Sequence, residues 1–442
     1  METTVNPLTD RMFGATLVRR MLENRLVRGT FWSLSGAVGA RTLGLLSSII
    51  VGRTLGTSGF GELGLIQSTI GMLGTLGGFG LGLTSTKYVA EFRTSDPTAA
   101  GRMISVAYVG AISATVLLSS IIIASSTDFA TCLLGSAHLS SHLQAGTLLL
   151  VINGINGVQL GALAGFEAFR ALAVVNLWAG VLSFPLVILG ANLAGSYGAV
   201  WGVIATAGVN CALCHRALAH VMSKNGVRAG FSGCRTEISK LWSFSLPSFI
   251  TMSLAGPVMW LGNAMLVHES GGYSEMGIFN AANQWGAVIL FIPYTLSQPT
   301  LAILSNHGGS GDKEGFRNCL LHSIVLTSVS CLTVGLIVAI TGTLIMRAYG
   351  MGFSAGVPVL LTSVGAAVLA APQIPILHAM TATGRVWQNV AIHLAWAATF
   401  LIVASMTHGF GAKGLALNYV IAYLVQGVVY AFVFPSVIRL RE

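Results

Sequence analysis

Apolar runs of about 20 residues return along the whole chain, beginning with SGAVGARTLGLLSSIIV at 35–51. A segment of that character can satisfy its backbone inside a hydrocarbon layer about 30 Å thick only by closing into a helix. The pattern therefore restricts the chain to an all-α, polytopic membrane fold. Composition agrees, because 8% of the residues are charged where soluble domains carry roughly a quarter. Twelve spans are expected, at 29–51, 63–86, 103–125, 143–166, 171–191, 198–215, 241–267, 276–304, 318–346, 357–380, 386–407 and 414–437.

The net charge of +9 would suit a nucleic-acid binder, but its distribution argues for a membrane origin. Of the 23 lysines and arginines, 19 fall before the first span, after even-numbered spans or at the C-terminus. Only Arg53, Arg347 and Lys413 fall on the other side, and Arg41 alone lies within a span. The positive-inside rule then puts both termini in the cytoplasm, in a multi-pass protein of the cytoplasmic membrane. The six cysteines are too scattered for a disulfide scaffold. Residues 1–28 read as a retained cytoplasmic or interfacial segment, since the small residues a signal cleavage would need lie inside the first apolar run.

The longest connection, 216–240, divides the chain into an N-terminal lobe at 29–215 and a C-terminal lobe at 241–442. An offset of 213 carries Glu62 onto Glu275, Gly64 onto Gly277 and Asn176 onto Asn389. Six spans in each half give the halves one orientation, the parallel-repeat arrangement with substrate bound between lobes. Helix breakers recur at matching places: Gly78 and Gly80 in the second span, Pro293 in the eighth, with Pro247, Gly256 and Pro257 in the seventh. They read either as hinges lining a shared cavity or as small residues serving close packing.

Other motifs carry less. Cys211-Ala-Leu-Cys214-His215 matches a haem-attachment pattern, but it falls at the cytoplasmic end of a packed span. Gly78-x-Gly80-x-Gly82 follows no strand, and no G-x-x-x-x-G-K-[ST] sequence occurs, so neither nucleotide binding nor ATP hydrolysis is expected. All fourteen acids fall in loops or at span ends, which disfavours ion coupling through a central carboxylate; His322, His378 and His393 keep it open. Glu62 and Glu275 read as caps of the spans they open. Gln67, Asn280, Asn283 and Gln284 offer amides that either glue helices together or bind sugar hydroxyls. No paired carboxylates, metal cluster or nucleophile with a base stands at readable spacing, so neither an enzyme nor a metal or other cofactor is expected.

Arg41 is the residue that asks for an explanation. It stands twelve residues into the first span and ten from its end, near mid-bilayer, where an arginine costs about 2.5–3.5 kcal/mol. A water-filled cavity between lobes would remove much of that cost, and the planar guanidinium would then attract an anion, most naturally a phosphate. The alternative is snorkelling from a span that begins later.

The stretch Val51-Gly52-Arg53-Thr54-Leu55-Gly56-Thr57-Ser58-Gly59-Phe60-Gly61-Glu62-Leu63-Gly64 resembles the polysaccharide-transporter (O-antigen, Wzx-like flippase) family of the multidrug/oligosaccharidyl-lipid/polysaccharide exporter superfamily. Arg53, Leu55, Gly56, Phe60, Gly61 and Gly64 carry the match to a first loop of the form R-x-L-G-x-x-x-F/Y-G. The resemblance implies alternating access by two lobes that flip an isoprenoid-pyrophosphate-linked oligosaccharide to the outer leaflet. Its partners would be that lipid-linked oligosaccharide, membrane lipids and a polysaccharide polymerase or other glycan-assembly protein, with no nucleic acid. Arg41 suits such a cargo, and Lys87 and Arg93 at the cytoplasmic mouth either attract the pyrophosphate or set topology. The rival readings are a multidrug efflux antiporter and a non-transporting scaffold for glycan assembly.

Overall fold

The computed structural model describes residues 25–78, 80–231, 254–310 and 312–438. Pro247, the segment before Arg25 and the last part of the inter-lobe connection, 232–240, lie outside the described residues. The first helix, α1, runs Arg25–Gly78, so the expected loop between the first two spans shrinks to a bend at Gly56. Gly56 has φ 67° and ψ −176°, a conformation open to glycine and costly for a residue bearing a Cβ. The two legs of α1 are thus the first span and the opening part of the second.

The second span breaks at Gly80, which adopts φ 66°, and resumes as α2 (Leu81–Phe92). Helix α3 (Pro97–Ala124) starts under the Asp96 carboxylate, which accepts from the Ala99 N–H at 3.0 Å, with proline in the first turn where its missing donor is harmless. The Thr98 hydroxyl and that N–H hold Asp96 below the usual carboxylate range. A short α4 (Ser126–Cys132) leads to α5 (Leu139–Gly165). The fifth and sixth spans fuse as α6 (Phe169–Lys224), bent at Ala194 and Gly195. This helix runs on to Lys224 instead of ending at 215, because no breaker intervenes before Gly226, at φ +67°.

The second half repeats the scheme with α7 (Ala255–Val267), α8 (Gly272–Ile289) and α9 (Phe291–Ser310). The break between α8 and α9 falls at Leu290, three residues before Pro293. Proline has no N–H for the Ile289 carbonyl and its ring crowds that oxygen, so the helix parts there. Gly256 and Pro257 lie in the first turn of α7. Helices α10 (Lys313–Ile340) and α11 (Gly342–Tyr349) follow, then a 3-10 turn (Met351–Gly356). The expected tenth span is two helices, α12 (Val357–Ala370) and α13 (Gln373–Ala382), parted at Pro372, a breaker absent from the sequence-based hinge set. Helices α14 (Val386–Met406) and α15 (Gly411–Ile438) complete the chain.

Within the N-terminal lobe, α1 and α5 pack on α6, and α2 and α3 pack on α5. Within the C-terminal lobe, α8 packs on α12, α9 on α10 and α13, and α15 on α12 and α14. Leu117, Ile121, Val325 and Leu336 are each more than half exposed on the outer faces, a surface suited to lipid tails and ill suited to water. The fold is an all-α membrane architecture of two lobes around a central cavity, with several helices long and apolar enough to cross a bilayer.

Candidate functional site

The substantial packing between lobes runs from α1 to α7, α8, α11 and the 3-10 turn, all at one end of the molecule. Residues of the R-x-L-G-x-x-x-F-G stretch build this closed end. Arg53 Nε donates to the Ala348 carbonyl at 2.5 Å, and Phe60 packs its ring 5.9 Å from those of both Tyr349 and Phe353. Ser274 donates to the Thr57 hydroxyl at 2.5 Å, and Tyr273 donates to the Leu134 carbonyl. Gly61 and Gly64 leave no room for a Cβ against Tyr273 and Asn280. Deeper in the seam, Trp260 Nε1 donates to Thr69 Oγ1 at 2.9 Å. The helices beyond the breaks, α2 and α9, pack only inside their own lobes by comparison.

Below this seam lies a cavity of about 660 Å³ between the lobes. Arg41, Gln67, Asn283 and Gln284, four residues singled out in the sequence, all stand on its wall. The first leg of α1 presents one face to it, because Ala40, Arg41, Gly44, Leu45, Ser47, Ser48 and Val51 recur at helical spacing. Asn176 and Ser183, seven apart on α6, join them from the same lobe. Gln284 accepts from the Tyr349 hydroxyl at 3.4 Å, which ties the cavity wall to the closed seam.

Arg41 also lines a second cavity, of about 380 Å³, inside the C-terminal lobe, together with Asn283, Tyr294, Tyr419 and Tyr423. Arg41 is an exposed residue on the wall shared by the two cavities. Among the described residues no carboxylate lines either cavity, and no hydrogen bond or ion pair engages the guanidinium. Among the described residues the guanidinium therefore keeps its five donors free of protein partners.

The other sequence-selected residues lie elsewhere. Asn280 fills the seam against Gly64 and does not line this cavity. Arg93 is engaged by Glu167 at 2.6 Å on its own lobe, and Lys87 sits over the Tyr88 ring at 4.8 Å. Among the described residues, Glu275 lies in the first turn of α8 but makes no capping bond to it, and Glu62 makes only side-chain contacts across its lobe. Glu275 accepts the Ala412 N–H at 2.8 Å at the head of α15, and Glu62 accepts from Ser196 at the bend of α6. Cys214 is fully buried among α3, α5 and α6, in an apolar cluster. Asn176, Ser183 and the tyrosines of the second cavity escaped the sequence reading; spacing of three, four and seven on α6 was the available signal for the first two.

The comparisons with known proteins bear on the family and the fold. Residues 26–301 match the family described as polysaccharide biosynthesis protein. The chain is 24% identical over 407 residues to the EPS I polysaccharide export inner membrane protein EpsE of Ralstonia nicotianae, covering 88% of this chain and 89% of that one. It is 27% identical over 198 residues to EpsE of Ralstonia solanacearum, covering 43% and 44%. A solved structure described as the inward-facing conformation of a multidrug resistance MATE family transporter of the MOP superfamily superposes with a TM-score of 0.74 at 14% identity, over 92% of this chain and 98% of that chain. That likeness shows the fold.

Proposed function

The chain belongs to the polysaccharide biosynthesis protein family, and from that premise we propose that it exports polysaccharide precursors by flipping a lipid-pyrophosphate-linked oligosaccharide across the cytoplasmic membrane. The observation that carries the reading is Arg41, an unpartnered cation on the shared wall of two joined cavities. A pyrophosphate there would find a fork of donors, while Gln67, Asn283 and Gln284 would meet hydroxyls of the attached sugar.

The charge distribution supports an outward position for the closed end, in which case this state opens toward the cytoplasm, where the cargo is made. Alternating access would open the seam built by Arg53, Phe60 and Gly61 and close the opposite end, with Gly78, Gly80 and Pro293 bending the second and eighth spans. Gly256 and Pro257 would flex the start of α7. Lys87 and Arg93, on the cytoplasmic side, set topology. An inside-negative potential drives an anionic headgroup outward by about 2.3 kcal/mol per uncompensated charge per 100 mV.

Efflux of organic cations fits less well, because among the described residues the cavity wall carries a cation and no carboxylate. The deciding experiment reconstitutes the protein in vesicles with lipid-linked oligosaccharide extracted from a strain lacking it, and follows exposure of the sugar to an impermeant glycosidase. Wild-type protein should expose the sugar, faster under an imposed potential, and Arg41→Ala should not. Equal exposure by Arg41→Ala, or rates that follow a pH gradient and ignore the potential, would reject the proposal.

A further inference from the structure

We infer that the aromatic chamber of the C-terminal lobe is a sugar-ring subsite, separate from the anion site at Arg41. The inference rests on the reading of Arg41 given above. The second cavity shares Arg41, Asn283, Ala287 and Phe291 with the central one. It continues through Met259, Tyr294 and Tyr423 into a third, of about 160 Å³, bounded by Gln373, His393, Trp396 and Gln426. A headgroup held at Arg41 therefore has an open route into this chamber for the residues attached to it.

The chamber walls are aromatic faces held in place by one another. Tyr423 lies 5.8 Å from Trp396 and 6.4 Å from Tyr419, and Tyr419 is braced by Phe400 at 4.9 Å. Set among them are polar atoms without a partner among the described residues: Ser363 Oγ, Gln373 Oε1 and Trp396 Nε1. Each belongs to a residue more than nine-tenths buried. Both protons of the Gln373 amide group are drawn to carbonyls, those of Leu369 and Tyr423, each at 2.9 Å, which leaves its oxygen as an unmet acceptor. His393 Nδ1 donates to the Asn389 carbonyl at 2.9 Å, so the neutral ring keeps Nε2 as an acceptor.

A pyranose ring presents an apolar C–H face and a rim of hydroxyls, each both donor and acceptor. Aromatic faces with interleaved unmet donors and acceptors match both aspects. An isoprenoid chain would leave every one of those polar atoms unsatisfied, and an organic cation would find no carboxylate. The amide-lined cavity of the N-terminal lobe, with Asn153, Thr206 and Asn210, offers hydrogen bonds but no aromatic face. The C-terminal chamber is therefore where a sugar ring that extends beyond the amides of the central cavity is recognised.

The test is calorimetric titration of the purified full-length protein with two probes. One is the oligosaccharide released by mild acid from the lipid-linked precursor of a strain lacking this protein; the other is inorganic pyrophosphate. Tyr423→Ala and Gln373→Leu should each weaken oligosaccharide binding at least ten-fold, and Trp396→Phe, which keeps a ring and loses only the N–H, by a smaller factor. All three should bind pyrophosphate as wild type does, which also reports that they are folded, while Arg41→Ala loses pyrophosphate and keeps the oligosaccharide. Oligosaccharide binding unchanged in every chamber variant, with pyrophosphate still dependent on Arg41, overturns the subsite and leaves the anion reading standing. Loss of both probes in all three chamber variants overturns the separation of the two subsites. Absence of binding of either probe to wild-type protein overturns both readings.

Discussion

Gly61 and Gly277 meet where the second and eighth spans cross, so closely that a Cβ on either would overlap a carbonyl of the opposite lobe: Tyr273 for Gly61, Thr57 for Gly277. Small residues let two backbones approach in this way when neither side chain intervenes. The contact exists only while this end is closed. Gly61→Ala and Gly277→Ala should therefore penalise the closed seam and spare each lobe. Overpacking of this kind costs about 1–3 kcal/mol, enough to shift the population between conformers by roughly five-fold to a hundred-fold. Distances between spin labels placed on either side of the seam, measured by double electron–electron resonance, should lengthen in both variants.

Trp260 and Thr69 supply a polar counterpart deeper in the same seam. The Thr69 hydroxyl donates to Leu65 O at 2.8 Å and accepts from Trp260 at 2.9 Å, so both groups are satisfied in the buried interior. Trp260→Phe keeps the ring packing against Phe129 and removes one hydrogen bond, a loss of about 0.5–1.5 kcal/mol. The same label pair should show a smaller shift toward the open seam than the glycine variants give. An unchanged distance distribution would mean that the bond forms in both conformers.

Much of this architecture was legible in the sequence for a simple reason. Apolar periodicity and breakers act locally, so the spans and the interruptions at Gly80 and Pro293 follow from neighbours in the chain. Arg41 was legible because a mid-span cation has few physical refuges, and a polar cavity is one. The sequence left two roles open for Asn280 because amides that glue helices and amides that line cavities look alike along the chain; the approach of Gly64 puts it in the seam. The engagement of Arg93 by Glu167, which lies 74 positions away, could not be seen along the chain. The tyrosines of the C-terminal chamber carried no signal, since one aromatic face on a membrane helix reads equally as lipid contact, packing or cavity wall.

The caps at Glu269 and Glu275 are a further nonlocal feature with a measurable consequence. Glu269 accepts the N–H groups of Gly409 and Gly411, at 2.8 and 3.0 Å, and Glu275 accepts that of Ala412. Together they satisfy donors at the start of α15 that have no partner within the helix. Glu275→Ala should cost about 0.5–2 kcal/mol of stability, seen as a lower melting temperature in detergent. Glu62→Ala should cost less, because Ser196 keeps its contact with His142 at 3.1 Å.

Pro293→Ala restores an N–H where the eighth span now parts. The Ile289 carbonyl would regain an intrahelical partner, so α8 and α9 should join into a straighter helix. If bending at this point serves the transport cycle, the variant should melt at or above the wild-type temperature while its rate of sugar exposure in vesicles falls. A lower melting temperature together with an unchanged rate would assign Pro293 to packing alone.

Arg41 separates function from stability most cleanly, because among the described residues its guanidinium has no protein partner to lose. Arg41→Ala should leave the melting temperature of the protein unchanged or slightly raised, since removing an uncompensated mid-span charge relieves a desolvation cost. The same variant should abolish surface polysaccharide in the host and accumulate its lipid-linked precursor. Arg41→Lys keeps the charge and loses the planar fork, so it should restore export only in part, with weaker pyrophosphate binding than wild type. A destabilised Arg41→Ala protein would point instead to a structural role for the cation, and full export by Arg41→Ala would remove it from cargo recognition.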